Sequence, residues 1–244
     1  MLSVVLSLTC IVSLLTYAYF SIAQFGKILP FTTNNVLIVI AHPDDECMFF
    51  GPTLTSLSTL TKAKVHVLCL STGNADGLGT LRKKELVKSC QILGVPASRV
   101  KSLDHPGLQD GMKNKWDPTI VSQSIGEYAV KQKIDTVITF DGQGVSGHAN
   151  HIAAYHGSKL YAAKHGLRLY RLETIPLVRK YIGILDLMIP NYGQRERMTF
   201  VSTPISYLIT HKAMRHHQSQ LVWFRWLYVT FSRYMFVNDL IMEC

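Results

Sequence analysis

The sequence is short of acidic side chains, lacks paired cysteines and carries no charged side chain at all between Leu2 and Gln24. Sixteen Asp and Glu stand against 25 Lys and Arg, giving a formal charge of +9 and a pI near 9.3. That excess favours an anionic partner, whether nucleic acid, an acidic lipid surface or a phosphorylated substrate, without choosing among them. Five cysteines with no Cys-x-x-Cys spacing argue against a disulfide framework and against thiolate-ligated zinc, and they fit a reducing compartment. There is no internal repeat and no low-complexity stretch, and 244 residues at 48% apolar composition suffice for one sizeable α/β domain.

The uncharged stretch is long enough to cross a bilayer, which takes roughly 20 apolar residues in a helix. A cleaved signal peptide is the competing reading, since Ser21-Ile22-Ala23 offers small residues for a cleavage site. No basic residue precedes the run, however, and it exceeds a signal core in length. The expected organisation is therefore an anchor over 1–24, a linker over 25–35 and a globular domain over 36–244. Lys27 lies on the C-terminal side of the anchor, and the basic side tends to remain cytoplasmic.

Val36-Leu37-Ile38-Val39-Ile40 is an unbroken apolar run suited to a strand buried on both faces. Similar runs recur over 65–70 and 136–140. Helical stretches are expected at about 49–60, at about 81–93 with Gly94 as cap, and at about 118–131. Strands alternating with helices imply βαβ units and an α/β, Rossmann-like, doubly wound and mainly parallel sheet. In such sheets ligands bind beyond the carboxyl ends of the strands, so the loops after strands are where chemistry is expected.

Two of those loops are unusual. Ala41-His42-Pro43-Asp44-Asp45-Glu46 places an imidazole and three carboxylates at the end of the first strand. A polar turn opening a helix explains the acids, but not the histidine, and adjacent carboxylates repel unless a cation lies between them. The second loop, 141–151, is glycine-rich and brings His148 and His151, three apart, to the start of a helix running to His165. Two histidines and a carboxylate make a ligand set that leaves coordination positions open to water and substrate, and zinc and ferrous iron both accept it.

These motifs resemble the metal-dependent LmbE-like N-acetylglucosamine deacetylases, in which His-Pro-Asp-Asp-Glu precedes a later paired-histidine motif. The resemblance covers most of the chain and is closest to the membrane branch acting on N-acetylglucosaminyl-phosphatidylinositol in GPI-anchor biosynthesis. It rests on Gly144–His151, on Arg82-Lys83-Lys84-Glu85-Leu86, and on the segments Trp223-Phe224-Arg225 and Ser232-Arg233-Tyr234-Met235. It implies that His42, Asp45 and His151 bind the metal, that Asp44 is the general base, and that a protonated His148 stabilises the oxyanion or donates a proton. It further implies that Arg82 contacts the substrate and that the protein is single-pass in the endoplasmic reticulum membrane, where Lys27 turns the catalytic domain to the cytosol; Asp104, at the end of an expected short strand, is placed to contact sugar hydroxyls. Asn150 departs from the pattern of soluble relatives, which often carry Asp there.

Each substrate assignment has a plainer rival: Arg82 on a solvated helical face, Asp104 as a turn residue. Residues 221–236 interleave seven aromatic residues with Arg225 and Arg233, which suits either a lipid headgroup boundary or a helix on the core. Rival functions are a metal-dependent transferase or phosphoesterase, which needs more carboxylates than are found, and a non-catalytic membrane subunit, which has no need of an unliganded Asp44. Nucleic-acid binding lacks any motif.

Overall fold

The computed structural model describes residues 33–188 and 197–243, together with Thr9, Val12 and Ser13. The anchor expected over 1–24 lies almost wholly outside the described residues, among which no helix is long and apolar enough to cross a membrane. Strand β1 (Asn35–Ile40) is followed by α1 (Asp45–Leu60), β2 (Lys64–Cys69), α2 (Gly79–Ile92) and β3 (Val100–Ser102). Next come α3 (Pro118–Gln132), β4 (Thr136–Phe140), α4 (Ala149–His165) and β5 (Arg168–Leu172). The chain closes with β6 (Arg197–Val201), α5 (Pro204–Met214), α6 (Trp223–Phe231) and β7 (Val237–Met242).

The strands form one sheet in the order β3-β2-β1-β4-β5-β7-β6. The first five are parallel, while β7 runs antiparallel to both β5 and β6, so the sheet is mixed at one side. Val36 to Ile40 are fully buried because helices cover both faces: α1 and α2 pack with α5, and α3 packs on α4. β1 pairs with β2 on one side and with β4 on the other. The strand order therefore reverses at β1, and the loops leaving β1 and β4 share the crevice of the switch point.

The C-terminal segment divides in two. Helix α6 is apolar and outward-facing, with Trp223, Phe224 and Phe231 exposed, whereas Arg233, Tyr234 and Met235 are buried. Of the two readings left open for this segment, core packing holds for Arg233. Its guanidinium pairs with Asp186 and Asp239 inside the fold, because a buried cation needs anionic partners.

Candidate active site

The loop leaving β1 is built by its own carboxylates. Asp45 Oδ2 accepts from the backbone N–H of Ala41 at 3.0 Å and of His42 at 2.8 Å, folding the turn tightly over the helix start. Asp44 immediately before it has φ 118° and ψ −21°, a backbone conformation that L-residues rarely adopt and that costs on the order of 1–3 kcal/mol. Both side chains are buried at the crevice, and Oδ1 of Asp45 lies 3.3 Å from His151 Nε2.

The loop leaving β4 is organised by Asp141, whose Oδ1 accepts from the backbone N–H of Gln143 and Gly144 at 3.0 and 3.1 Å. Its two oxygens also take the Thr174 hydroxyl and N–H, tying the loop to the chain beyond β5. Gly144 has φ 58°, and a Cβ there would fall 3.0 Å from that of His151. Val145 follows at φ 65°, a rare value for a β-branched residue. The strained turn sets down His148 as the N-cap of α4, with His151 in the helix's first turn. His148 and His151 therefore do not share a helical face as their spacing suggests. His148 has extended backbone, yet the two rings still stack with centroids 4.8 Å apart.

Three imidazoles, of His42, His148 and His151, converge so that one nitrogen of each lies within 4.8 Å of the others. Their hydrogen-bond partners assign different tautomers. His151 Nδ1 lies 3.1 Å from the carbonyl oxygen of Gly144, so it carries the proton, and Nε2 presents a lone pair that is buried without a hydrogen-bond partner. His42 Nε2 lies 3.0 Å from Asn150 Oδ1 and 3.1 Å from Asp110 Oδ1, so it is the donor, and Nδ1 turns its lone pair toward Asp45 Oδ2 at 3.7 Å. The Asn150 amide is oriented by donating to Asn114 O at 2.8 Å, which leaves its oxygen for His42. His148 differs: Nδ1 accepts from Asn150 N at 3.2 Å, so Nε2 carries a proton and is a donor. The three imidazole nitrogens lie close together, and the Asp45 carboxylate adjoins two of the rings, 3.7 Å from His42 Nδ1 and 3.3 Å from His151 Nε2. Such a donor set fits a divalent cation, and the orphaned Nε2 of His151 is the observation that supports it.

The electrostatics divide the same residues. Burial opposes the charge on Asp45, but His151 and His42 outweigh it and hold the carboxyl well below the usual carboxylate range. Burial pushes Asp44 the other way, upward, against the pull of Arg225 and Arg82. Burial, reinforced by His151 and His42, lowers His148 to about 4, which together with the hydrogen bond its Nδ1 accepts favours the neutral ring over the protonated one expected from the sequence. His42 is raised despite its burial, because Asp110 and Asp45 stabilise its charged form. Those groups favour a cation beside the ring, be it a proton or a metal ion.

The cavity over these residues has a volume of about 380 Å³. Arg82 lines it but is not on a solvated face: it is buried, donating to Pro43 O at 2.7 Å and Gly73 O at 2.9 Å, so it braces the loop that carries Asp44. Gly73, at φ 66°, leaves room for it, since a Cβ would fall 2.5 Å from the guanidinium. Asp104 is exposed and not among the cavity residues; Asp110, six positions on, reaches His42 instead. Asp110 and the ion pair between Arg225 Nη2 and Asp44 Oδ2, 3.2 Å long, escaped the sequence reading because they arrive on elements distant in the chain.

The chain matches the family profile described as "PIG-L: GlcNAc-PI de-N-acetylase" over residues 37–162, which includes both loops. It is 43% identical over 213 residues to a probable N-acetylglucosaminyl-phosphatidylinositol de-N-acetylase of Schizosaccharomyces pombe, covering 85% of this chain and 86% of that one. It is 39% identical over 216 residues to the Bos taurus N-acetylglucosaminyl-phosphatidylinositol de-N-acetylase, covering 87% and 85%. Among solved structures it is similar to the zinc-inhibited form of a teicoplanin deacetylase, with TM-score 0.62, 13% identity and coverage of 86% and 99%. The last likeness speaks to the fold, whereas the sequence matches run through the crevice residues themselves: the chain belongs to the PIG-L family of deacetylases.

Proposed function

We propose that this protein hydrolyses the N-acetyl group of N-acetylglucosaminyl-phosphatidylinositol, an early step of GPI-anchor biosynthesis, with His42, Asp45 and His151 holding a divalent cation. The observation carrying this reading is the convergence of His42, His148 and His151 beside the Asp45 carboxylate. Zinc is the favoured ion and ferrous iron the alternative. When bound, it supplies a positive charge that acidifies a water and polarises the acetamide carbonyl.

The chain's own groups do the rest. Asp44, raised by burial and not held by the ligand hydrogen bonds of Asp45, accepts a proton from the attacking water. The neutral His148 donates its Nε2 hydrogen bond to the oxygen on which charge develops. Asp44 then delivers the proton to the leaving nitrogen as the carbon–nitrogen bond breaks, giving acetate and a free amino sugar. We place the domain at the cytosolic face of the endoplasmic reticulum membrane, held by residues 1–24, on the strength of the uncharged run and Lys27. Incubating purified, metal-analysed protein with the glycolipid and following acetate release tests the proposal. Bound metal with no acetate released would refute it.

A further inference from the structure

A second cavity adjoins the catalytic one. It has a volume of about 530 Å³, and Phe224, Leu227 and Phe231 of α6 give it an apolar wall. Met48, Tyr181, Arg225 and Tyr228 line both spaces and form the passage between them. A ligand that fills both therefore meets polar groups, then this passage, then hydrocarbon. Of the four passage residues, Arg225 alone is charged.

The Arg225 guanidinium is under-used. Nη2 pairs with Asp44, Nη1 lies against the thioether of Met48, a weak acceptor, and Nε is buried without a partner. Arg82 shares the unpartnered Nε, but the terminal nitrogens of the other cavity cations are more fully engaged. Arg82 spends both terminal nitrogens on Pro43, Gly73 and Asp110 with a side chain only 6% exposed, and Lys180 is buried with Nζ on Val145 O at 3.2 Å. The Arg225 side chain is 25% exposed, and a guanidinium fork matches phosphate geometry.

We propose that Arg225 recognises the phosphodiester of the substrate and that the groove beside it receives the adjoining lipid. This rests on the deacetylase reading and deepens it. The polar cavity, the cation and the apolar groove occur in the order amino sugar and inositol, phosphate, diacylglycerol. Arg225 is thus the residue that separates a phosphorylated glycolipid from a free amino sugar bearing the same acetamide.

The test compares wild type, Arg225→Gln and Arg225→Lys on three substrates: N-acetylglucosaminyl-inositol, its glycerophosphoryl form without acyl chains, and a short-chain glycolipid below its micellar concentration. Arg225→Gln also removes the ion pair with Asp44 and so lowers kcat on all three substrates alike; beyond that shared loss, kcat/KM should fall about 10-fold further on the two phosphorylated substrates, through KM. Arg225→Lys should recover part of the loss, because it restores charge without the fork. Equal losses on all three substrates would overturn the assignment and leave Arg225 as a brace for Asp44. So would a loss confined to the acylated substrate, which would point to lipid packing. Calorimetric titration with glycerophosphoinositol and with inositol reads the contact without turnover. A wild type that prefers the phosphate through Arg225 yet releases no acetate would remove the deacetylase reading and keep this one; no preference would remove this one.

Discussion

Two clusters with the residue types for a metal site flank the start of helix α1, one of His42, His148 and His151 beside Asp45 and one of Glu46, Cys47 and His217. The first, at the front, opens on the catalytic cavity. The second, at the rear, is closed: Glu46 Oε1 takes His217 Nε2 at 2.6 Å and the Ser89 hydroxyl, and both members of the pair are fully buried. The front cluster keeps its acid 3.3 and 3.7 Å from two imidazoles at a cavity wall, whereas the rear cluster closes acid on base at 2.6 Å in the buried interior. Residue type alone does not separate catalysis from cohesion. The geometry does, and here consecutive residues Asp45 and Glu46 fall on opposite sides of that line.

The comparison breaks first at the front. His151→Ala removes one lone pair, so metal content and activity should fall together, activity by about 10⁴-fold or more, since the charge on the developing transition state goes with the metal. Metal analysis beside acetate release reads this. Full metal occupancy in that variant would move the ligand role to His148. Asp44→Asn should keep the metal and lose about 10³-fold in kcat, because only the proton acceptor is removed. Equal loss of metal and activity would make Asp44 a ligand.

Much of this was legible in the sequence, for a definable reason. The strands at 36–40, 65–70 and 136–140 were readable because residues buried on both faces must be apolar throughout, and the switch-point rule then joins loops about 100 residues apart. The His-Pro-Asp-Asp-Glu loop was readable because the carboxylates make their own turn, as Asp45 does with Ala41 and His42. The antiparallel β7 and the burial of Arg233 were not, since pairing partners and ion-pair partners arrive from distant segments. Asp104 was named from its place at the end of a short strand, and such a position cannot say which acid of the following loop turns inward; Asp110 does. Asn150 found its role only when Asn114 fixed which way its amide points.

At the rear the expected damage is to the fold. His217→Ala leaves Glu46 buried without its partner and should cost about 3–5 kcal/mol of unfolding free energy, read by denaturant titration, while the protein that remains folded keeps its full metal content. Loss of metal at unchanged stability would mean the rear cluster, and not the front one, is the metal site. A smaller effect is expected at Asp110, which orients His42 from outside the ligand set and also pairs with Arg82: Asp110→Asn should weaken metal affinity by about 10- to 100-fold, measured by competition with a chelator.

The finest distinction is in the pH dependence of the rear pair. Burial disfavours the charge on each partner, but Glu46 raises His217 above its ordinary 6.5, and His217 with Ser89 lowers Glu46 below its ordinary 4.5. For His217 the folded state holds its proton more tightly than the unfolded state, so its contribution is complete below pH 6.5 and is lost as pH rises through the folded value. For Glu46 the folded state releases its proton more readily, so its contribution is complete above pH 4.5 and is lost as pH falls through the folded value. Both are present together between pH 4.5 and 6.5. The stability gap between wild type and His217→Gln, a neutral replacement unable to form the ion pair, should therefore be widest in that window and narrow on either side. Denaturant midpoints from pH 4 to 9 on metal-loaded protein trace it, since loading holds the front histidines in one protonation state. A gap that stayed constant across the range would mean that Glu46 and His217 meet as a neutral hydrogen bond, and the contrast between an ion-paired rear cluster and a front one proposed to hold metal would lose its electrostatic basis.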